Sequence, residues 1–401
     1  MKKYVITDFG VKPDLSELQT DAMQAVLDKC RDSGGTVVIP KGRYRVGGLY
    51  MYSDTTLYLE SGACLIGSDV CEDYKIFPVP EGVEMRSDME MIKDYYGTPW
   101  DAYRRAIITV YGGRNVSIIG ESGSVIDGSD CCDPKGEEGY RGPHGIFVTS
   151  VENLTFKGYT IQNCGNFMHE ANNCKNIVMQ NVTCLGGSDG IHAHFSENIL
   201  IEDCVFHTGD DCIAGINMTG LTVRRCDINT SCHAFRSGGS HILVEDCKIW
   251  GDGIYPHGMT VVQNRGTDLV RLKSSRLPRE AGRHNLIAVY HHFGSTSYPM
   301  DKPYTDVVFR NCDVKNAGRF LCYASKWGLQ AGATLGDITL ENVRFTELLE
   351  PSAPDAPEGS PLTVKLINTT AEFSEKATVK ELFADCKNTK IFENGALKQS
   401  Y

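Results

Sequence analysis

A short apolar pattern recurs along the chain, and its spacing restricts the possible folds more than any other feature. Taking the second residue of each copy as register zero, apolar side chains fall at zero, plus two, plus five and plus seven. The interval between the first five copies is 23, 22, 22 and then 21, and a longer gap, of about three more such units, follows. Register zero is occupied by Leu154, Ile177, Ile199, Leu221, Ile242, Val307 and Ile338.

This alternation with a period of two, broken by a turn and repeated at a fixed interval, is typical of a solenoid of short strands. A single coil cannot bury its apolar face alone, so the coils must stack at the strand spacing of roughly 4.8 Å. A leucine-rich repeat has a similar period, but its L-x-x-L-x-L-x-x-N signature is absent. We therefore predict an all-β fold, a right-handed parallel β-helix.

Cysteines share one register of the repeat. The chain has 16 cysteines and no C-x-x-C pair, and four of them stand at plus five: Cys204, Cys226, Cys247 and Cys312. A free cysteine packs as a small buried hydrophobe, whereas cysteines on stacked coils are also close enough to form bridges. Between these two alternatives we expect free thiols in an interior ladder.

The repeat extends over most of the chain, so we predict one domain, residues 1–401. Ser16 to Gln19 matches a capping box, and the helix that it would start runs to Cys30 and covers the first open strand edge. The expected divisions are an N-terminal cap region at 1–35, coils from about 36 to 345 and a C-terminal cap or edge segment at 346–401. Two stretches, about 73–105 and 255–304, break the rhythm and are interpreted as loops on the coil stack.

Composition excludes several classes of partner. The formal net charge is -11, whereas a nucleic-acid-binding protein needs a basic face. No apolar run is long enough to span a membrane.

The basic start of the chain is not followed by an apolar core, and Asp8 comes too early for a signal peptide. We expect a cytoplasmic protein, or a secreted one if a leader has been removed.

Ionisable side chains form a second column in the repeat. Asp189, Asp211 and His233 each stand at plus twelve from a register-zero residue, and Asp210 precedes Asp211 at plus eleven. Neighbours on a flat strand point to opposite faces, but a bend in the coil can bring both aspartates to one groove, facing solvent. Asp is also an ordinary turn residue. Carboxylates packed at strand spacing push their pKa values apart, which is what acid–base hydrolysis of a glycosidic bond requires.

The chain resembles glycoside hydrolase family 28, the polygalacturonase family. The segments GSDGIHAHFSENILIEDC, GDDCIA, CHAFRSGGSHILVEDC and VRLKS are similar, in this order, to the family's N-T-D-G-I-D, D-D-C-[IV]-A, G-H-G and R-I-K segments. The resemblance runs from ITDFGVKPD to about residue 345 and implies a right-handed parallel β-helix that inverts the anomeric configuration. It implies Asp210 as the general acid, Asp189 and Asp211 as the residues that activate water, and His233 as the residue that tunes them.

The resemblance also implies substrate-binding residues. Arg271 and Lys273 would hold a substrate carboxylate, and both cations share one face of a predicted strand. Further candidates for substrate binding are His192, Arg236, His257 and His169, the last of which is equally well explained as a core histidine.

Some positions depart from the family pattern. Gly187 stands where the family has Asn, His192 replaces the second Asp of N-T-D-G-I-D, and Cys232 and Ala234 replace the glycines of G-H-G. A uronic-acid glycan other than plain galacturonan is therefore an open alternative. Adjacent pairs such as Cys131-Cys132 and His291-His292 lack zinc-ligand spacing, and we expect no metal and no cofactor.

The sequence thus predicts an inverting glycosidase that acts on an acidic oligosaccharide or polysaccharide. We further expect it to remove sugars from a chain end, because the two long insertions can close a groove into a pocket. Two alternatives stay open. A β-helical polysaccharide lyase would need a base and usually Ca²⁺, and a non-catalytic glycan-binding β-helix would not depend on Asp210.

Overall fold

The structure, a computed structural model, describes residues 2–85, 100–136, 139–258, 285–289, 305–323 and 335–401. Two short helices, α1 Thr20–Leu27 and α2 Trp100–Tyr103, and 3-10 turns at Ile6–Phe9, Asp28–Cys30 and Cys71–Asp73 accompany many strands. The strands are β1 Lys3–Val5, β2 Gly35–Ile39, β3 Gly42–Val46, β4 Leu49–Tyr50, β5 Thr55–Leu59, β6 Ala63–Gly67, β7 Ala106–Gly120, β8 Val125–Asp127, β9 His144–Lys157, β10 Thr160–Gln162, β11 His169–Asn172, β12 Lys175–Gln180, β13 Thr183–Gly186, β14 Ile191–His192, β15 Glu197–Glu202, β16 Val205–Thr208, β17 Ile213–Arg224, β18 Asp227–Thr230, β19 His233–Glu245, β20 Lys248–Trp250, β21 Asn285–Val289, β22 Thr305–Arg310, β23 Asp313–Lys315, β24 Arg319–Tyr323, β25 Asp337–Glu341, β26 Arg344–Leu348, β27 Leu362–Ile367, β28 Thr370–Phe373, β29 Thr389–Glu393 and β30 Ala396–Ser400.

The strands stack into two long sheets along the solenoid. Within the described ranges one sheet contains 19 strands and the other 11, and the pairing is parallel except between β29 and β30. Register-zero residues pair with each other on successive coils, as Leu154 does with Ile177 and Ile177 with Ile199. These side chains are buried in one continuous core. The predicted right-handed parallel β-helix is confirmed.

The long gap between Ile242 and Val307 does not hold three further coils, as the spacing suggested. Ile242 pairs directly with Val307, and Lys248 pairs with Asp313, so the two flanking segments belong to neighbouring coils. One coil therefore contains the whole insertion, because a loop that leaves the solenoid lengthens a coil without adding a layer. Of this insertion, the structure describes the residues up to 258 and strand β21, which pairs with β19 and β24.

Parallel pairing also continues after residue 345. Ile338 pairs with Val364, and Val364 pairs with Ile391, before β30 closes the end of the chain as an antiparallel strand. The single domain and its divisions at residues 35 and 345 stay predictions.

Each coil turns at residues with left-handed backbone geometry. One such residue precedes register zero, as at Asn153, Asn176 and Asn198, with φ values of 60°, 57° and 54°. A second stands at plus four, as at Asn181 and Asp203, with φ values of 53° and 55°. Asn and Asp tolerate this conformation better than other residues that carry a Cβ. The break between plus two and plus five in the sequence pattern is this second turn.

The asparagines that precede register zero are joined by a ladder of side-chain hydrogen bonds. The amide of Asn176 donates to Asn153 at 2.9 Å, and that of Asn198 donates to Asn176 at 3.1 Å. The ladder continues toward the N-terminus, because Asn153 donates to Asn115 and Asn115 donates to Asp54. It holds the same turn in register on successive coils.

The four cysteines at plus five are buried and free, so their predicted interior position is confirmed. Each Sγ lies 3.2 to 3.4 Å from the carbonyl oxygen of the residue two positions earlier: Cys204 to Glu202, Cys226 to Arg224, Cys247 to Glu245 and Cys312 to Arg310. Each thiol can therefore donate its weak S–H hydrogen bond to a backbone carbonyl while its side chain fills the core.

The N-terminal helix is present, but its predicted capping box is wrong. The helix α1 begins at Thr20, with Gln19 as an N-cap residue that makes no side-chain cap bond. The Gln19 side chain instead exchanges two hydrogen bonds with the backbone of Lys12, because the chain before the helix folds back on it. Met23, Val26 and Leu27 attach the helix to the core. Among the described residues, no helix has the length and apolarity needed to cross a membrane.

We expect Asn176→Ala to lower the free energy of unfolding by about 2–3 kcal/mol. The substitution removes two ladder hydrogen bonds and puts a Cβ without a compensating side chain into a left-handed turn, where the strain costs roughly 1–2 kcal/mol. Chemical denaturation measures the change. Asn176→Gly relieves the strain but not the lost bonds, so it should lie between the wild type and Asn176→Ala. Equal stability of all three proteins would contradict the assigned role of the ladder.

Candidate active site

The four residues predicted as catalytic meet at the same end of three successive coils. Asp189 precedes β14, Asp210 and Asp211 precede β17, and His233 begins β19. Backbone hydrogen bonds stack them, because the amide of Gly190 donates to the carbonyl of Asp211 and that of Cys212 donates to the carbonyl of His233. The column inferred from the regular spacing is therefore present.

The adjacent aspartates occupy the turn between β16 and β17, as expected, but they do not lie open to solvent. The exposed fractions of Asp189, Asp210 and Asp211 are 1%, 5% and 3%. The amide of Asp211 donates to Oδ1 of Asp189 at 2.8 Å and to Oδ1 of Asp210 at 3.1 Å. This shared donor brings all three carboxylates together, with one ligand oxygen of each within 4.8 Å of the others.

Arg141 joins two of these carboxylates, and sequence reasoning missed it. Its guanidinium donates to Oδ2 of Asp210 at 2.7 Å and lies 3.4 Å from Oδ2 of Asp189. Arg141 is buried against Phe167, and the centroid of the Phe167 ring lies 5.2 Å from Cζ of Arg141. Arg141 lies between β8 and β9, outside the repeat, so no periodic signal marks it.

Two of the predicted substrate-binding residues also form ion pairs with the carboxylates. His257 places Nε2 at 2.9 Å from Oδ2 of Asp210, and Arg236 places Nε at 2.5 Å from Oδ2 of Asp211. Oδ1 of Asp211 is buried and has no hydrogen-bond partner in the described part of the chain. That oxygen is available to a hydrogen of a water molecule or of a substrate hydroxyl.

The surroundings separate the pKa values of the three carboxyl groups. Burial raises the pKa of Asp189 to about 7, and the charge of Asp210 acts in the same direction. Burial likewise raises the pKa of Asp211 to about 6, against the opposing charges of Arg236 and His233. Burial would also raise the pKa of Asp210, but His257 and Arg141 outweigh it and hold that pKa well below its usual range. Near neutral pH the cluster therefore combines an ionised Asp210 with two carboxyl groups that can exchange a proton.

His192 lies behind Asp189 and is buried, and its predicted contact with substrate stays a prediction. Its ring stacks on Phe167 with 3.7 Å between centroids, and its Nε2 is 3.5 Å from Oδ2 of Asp189. Its Nδ1 is 3.0 Å from Nε2 of His194, whose Nδ1 accepts the amide of Ile216. The histidine that replaces the family's Asp thus supports the carboxylate from behind.

His169 is a core histidine, which corrects its assignment to substrate binding. Nε2 lies 2.8 Å from the hydroxyl of Tyr159, and Nδ1 lies 3.0 Å from the carbonyl oxygen of Gly190. Complete burial lowers the pKa of His169 to about 4, so the ring is neutral at ordinary pH. Both ring nitrogens have partners inside the coil, so neither is left for a ligand.

The second insertion explains why glycine stands at position 187. A Cβ at Gly187 would lie 3.1 Å from the carbonyl oxygen of Pro256 and 3.1 Å from Cα of Gly258. The amide of Gly258 donates to the carbonyl of Gly187 at 3.0 Å. The start of the insertion is therefore packed directly over the site, and it delivers His257 to Asp210. Arg271 and Lys273 lie outside the described residues, and their role stays a prediction.

Two groups of three side chains have ligand atoms close enough together to bind one metal ion. The first group is Asp189, Asp210 and Asp211, and the second is Asp211, Cys232 and His233. Arg141 and Arg236 already neutralise these carboxylates. A cation would have to displace a guanidinium that is held at hydrogen-bond distance. The geometry fits a proton-transfer site better than a metal centre.

Comparison with known proteins supports the resemblance inferred from the motifs. The model of the glycosyl hydrolases family 28 matches residues 91–235, which include Arg141 and all four predicted catalytic residues. An exo-poly-alpha-D-galacturonosidase of Dickeya chrysanthemi is 27% identical over 255 residues, 52% of this chain and 41% of that relative. The chain thus matches less than half the length of that relative. The predicted resemblance to family 28 is confirmed.

Solved structures agree on the fold. An exopolygalacturonase from Thermotoga maritima superposes with a TM-score of 0.69 at 13% identity, covering 99% of this chain and 93% of that one. A family 28 exopolygalacturonase from Yersinia enterocolitica gives a TM-score of 0.64 at 19% identity, with 97% and 78% coverage. At these identities the likeness establishes the β-helix.

We expect Asp189→Asn to raise the unfolding temperature at pH 8 more than at pH 5. The pKa of Asp189 is raised from 3.8 to about 7, so its stabilising effect is complete below 3.8, is lost progressively as pH rises from there to 7, and is gone at pH 8. At pH 8 the native protein must hold a buried, ionised carboxylate, and the neutral amide removes that cost.

Asp210→Asn is the matched control. Because the pKa of Asp210 is lowered by His257 and Arg141, removing its charge should destabilise the protein at pH 8. Thermal unfolding followed by circular dichroism at both pH values measures the two effects. Equal shifts for the two variants, or a shift for Asp189→Asn that does not depend on pH, would contradict the assigned electrostatics.

Proposed function

We propose that this chain, whose residues 91–235 match the family 28 model, is a glycoside hydrolase that cleaves α-linked uronic-acid glycans of the galacturonan type with inversion. The observation that carries this proposal is the cluster of Asp189, Asp210 and Asp211, in which one carboxylate is ionised and two have raised pKa values. Glycosidic hydrolysis needs both a proton donor and a base. At neutral pH Asp211, whose pKa is about 6, is largely ionised and can serve as a base, while Asp210 needs a proton from a neighbouring group before it can donate one.

The proposed general acid is Asp210 acting together with His257. A carboxylate whose pKa is well below its usual range carries no proton at neutral pH, so it cannot donate without a source. A protonated His257, with Nε2 2.9 Å from Oδ2, is such a source. As the glycosidic bond breaks, the proton passes from His257 to Asp210 and from Asp210 to the leaving oxygen. Arg141 keeps Oδ2 in place during this transfer.

Asp211 and Asp189 would activate the water. Oδ1 of Asp211 is buried without a partner among the described residues and can accept a water hydrogen, while Asp189 holds the amide of Asp211. The three carboxylates are closer together than the about 6.5–9.5 Å usual in inverting glycosidases. The water in this proposal therefore lies against the same cluster as the leaving group, and the sugar must approach from outside the coil.

The substrate is proposed to be acidic because the related enzymes act on polygalacturonate, as their names state. Arg271 and Lys273 remain the proposed partners of its carboxylate, on the resemblance alone. Gly187, Cys232 and Ala234 alter the floor beside the catalytic column, so a uronic-acid glycan related to galacturonan is included in the proposal.

We expect Asp210→Asn to lower kcat on tri- or tetragalacturonic acid by at least about 10²–10⁴-fold, because the variant cannot relay a proton. Asp227→Asn is the matched control, since its carboxylate contacts His207 and Trp250 away from the cluster. Reducing-end assays give the rates, and proton NMR of the first product gives the anomeric configuration.

Near-normal turnover by Asp210→Asn would remove Asp210 from the mechanism. A product that absorbs in the ultraviolet would identify a lyase instead. Binding of the oligosaccharide by both variants without any product from the wild type would indicate a glycan-binding protein.

The structure also supports removal of sugars from a chain end. The outward face of the coils before the site is covered, because Phe147 and Glu170, which continue the row of His192, are completely buried. Tyr103 from the first insertion lies over them, with its ring centroid 6.3 Å from that of Phe147 and its hydroxyl 3.4 Å from Oε1 of Glu170. Phe77 belongs to the same apolar cluster. A polymer cannot continue along this side, so the groove ends near the catalytic column.

We expect a time course on long polygalacturonate to show monomer or dimer from the first minutes, while viscosity falls slowly. The covered face before the site admits only a chain end, so internal bonds are not reached. Chromatography of the products and viscometry on the same samples provide the measurement. A rapid early loss of viscosity with a ladder of mid-sized products would show an open cleft.

A further inference from the structure

Two buried thiols from distant parts of the chain are in contact beside the site. Sγ of Cys71 lies 3.3 Å from Sγ of Cys131. Cys71 begins the 3-10 turn at Cys71–Asp73, where the first insertion leaves the coils. Cys131 lies between β8 and β9, in the loop that also carries Arg141. The contact therefore joins the segment that covers the groove to the segment that holds Asp210.

We propose that Cys71 and Cys131 form a preformed disulfide site, which a small two-electron oxidant closes. The bond would fasten the first insertion to the loop of Arg141. The inference rests on the geometry of the two segments and does not depend on the proposed glycosidase activity.

The backbone around Cys131 is held firmly in place. A Cβ at Gly142 or at Gly165 would meet the carbonyl oxygen of Cys131 at 2.0 Å and 1.8 Å, so the three backbones touch. A disulfide has an S–S length of about 2.0 Å and a relaxed dihedral near 90°. The sulfurs must therefore approach by roughly 1.3 Å, and the turn that begins at Cys71 is the part that moves.

A second contact already joins the same two segments. Arg105 at the end of the first insertion pairs with Asp133, two residues after Cys131, at 3.1 Å. Both side chains are largely buried. Because this ion pair and the thiol contact fix the insertion near both of its ends, closing the disulfide requires no rearrangement of the fold.

The chemistry assigns a different role to each thiol. Cys71 is the more accessible of the two, and a hydrogen bond from Cys131 lowers its pKa, whereas the pKa of Cys131 is raised by the same bond and by burial. The Cys71 thiolate attacks the oxidant, for example the N=N bond of diamide, and forms an S–N adduct. The Cys131 thiolate then attacks Sγ of Cys71, forms the S–S bond and expels the hydrazine. The two thiols lose two electrons and two protons, and the diazene gains them.

The neighbouring cysteine provides a matched control. Cys132 follows Cys131 directly and is only partly buried, but its Sγ donates to the carbonyl of Tyr140 at 2.8 Å. Cys204, in the interior ladder, donates to the carbonyl of Glu202. If proximity in the sequence or general reactivity decided the product, Cys132 would be linked. If the geometry decides it, Cys131 is linked.

The experiment treats the folded, fully reduced protein with diamide, denatures it without reductant and alkylates the remaining thiols. Intact mass should show 16 labels before oxidation and two fewer after it, and peptide mapping should join the peptides of Cys71 and Cys131. Cys71→Ser and Cys131→Ser should each abolish the link, whereas Cys132→Ser should keep it. The oxidised wild type should unfold at a temperature higher by on the order of 5 °C, since the bond closes a long loop.

Three results would overturn the proposal. The first is full alkylation of Cys71 and Cys131 after the longest exposure that leaves the circular dichroism spectrum intact. The second is a link from either thiol to Cys132 or to a ladder cysteine. The third is a Cys71–Cys131 link that lowers the unfolding temperature, because it would show that the bond strains the native structure.

Discussion

Everything in this molecule depends on the requirement that each coil turn at the same place as the coil before it. The turns are made by residues in the left-handed region, and asparagine side chains tie them together from coil to coil, as Asn153, Asn176 and Asn198 do. Parallel strands then pair residue by residue, so side chains one repeat apart in sequence stand one strand spacing apart in space. In a solenoid, residues that recur once per repeat in the sequence therefore form a column of neighbouring side chains in space.

The column of carboxylates is a consequence of that stacking, and burying its charges costs free energy. Three carboxylates are buried within a few ångströms of each other, which no stable core would accept without compensation. Arg141, Arg236 and His257 supply it, but unequally. Asp210 receives two cationic partners and stays ionised, while Asp189 and Asp211 keep raised pKa values. The different pKa values of the three carboxyl groups thus arise from the placement of a few cations.

The insertions determine what can reach this column. The first brings Tyr103 over the coils that precede the site, and the second brings Pro256 and His257 against it. Both are anchored to the coils by specific contacts, including the pair of Arg105 with Asp133. The coil stack therefore positions the carboxylates, while the loops cover one side of the groove. The missing side chain at Gly187 is explained by this arrangement, because the second loop fills its space.

The amino-acid sequence alone was sufficient to predict the β-helix, its register, the cysteine ladder and the column of Asp189, Asp211 and His233, because all of these follow from a period that stacking preserves. It also placed Asp210 at the bend and, through its motifs, indicated the family. Only the tertiary structure revealed Arg141, which lies outside the repeat, and the contact of His194 with His192. It also showed that His169 faces the core and that His192 is buried against Phe167. The capping box at Ser16 and the length of the gap before Val307 were misjudged for the same reason. Contacts made by loops depend on where a chain returns in space, and no local pattern or spacing along the sequence encodes that.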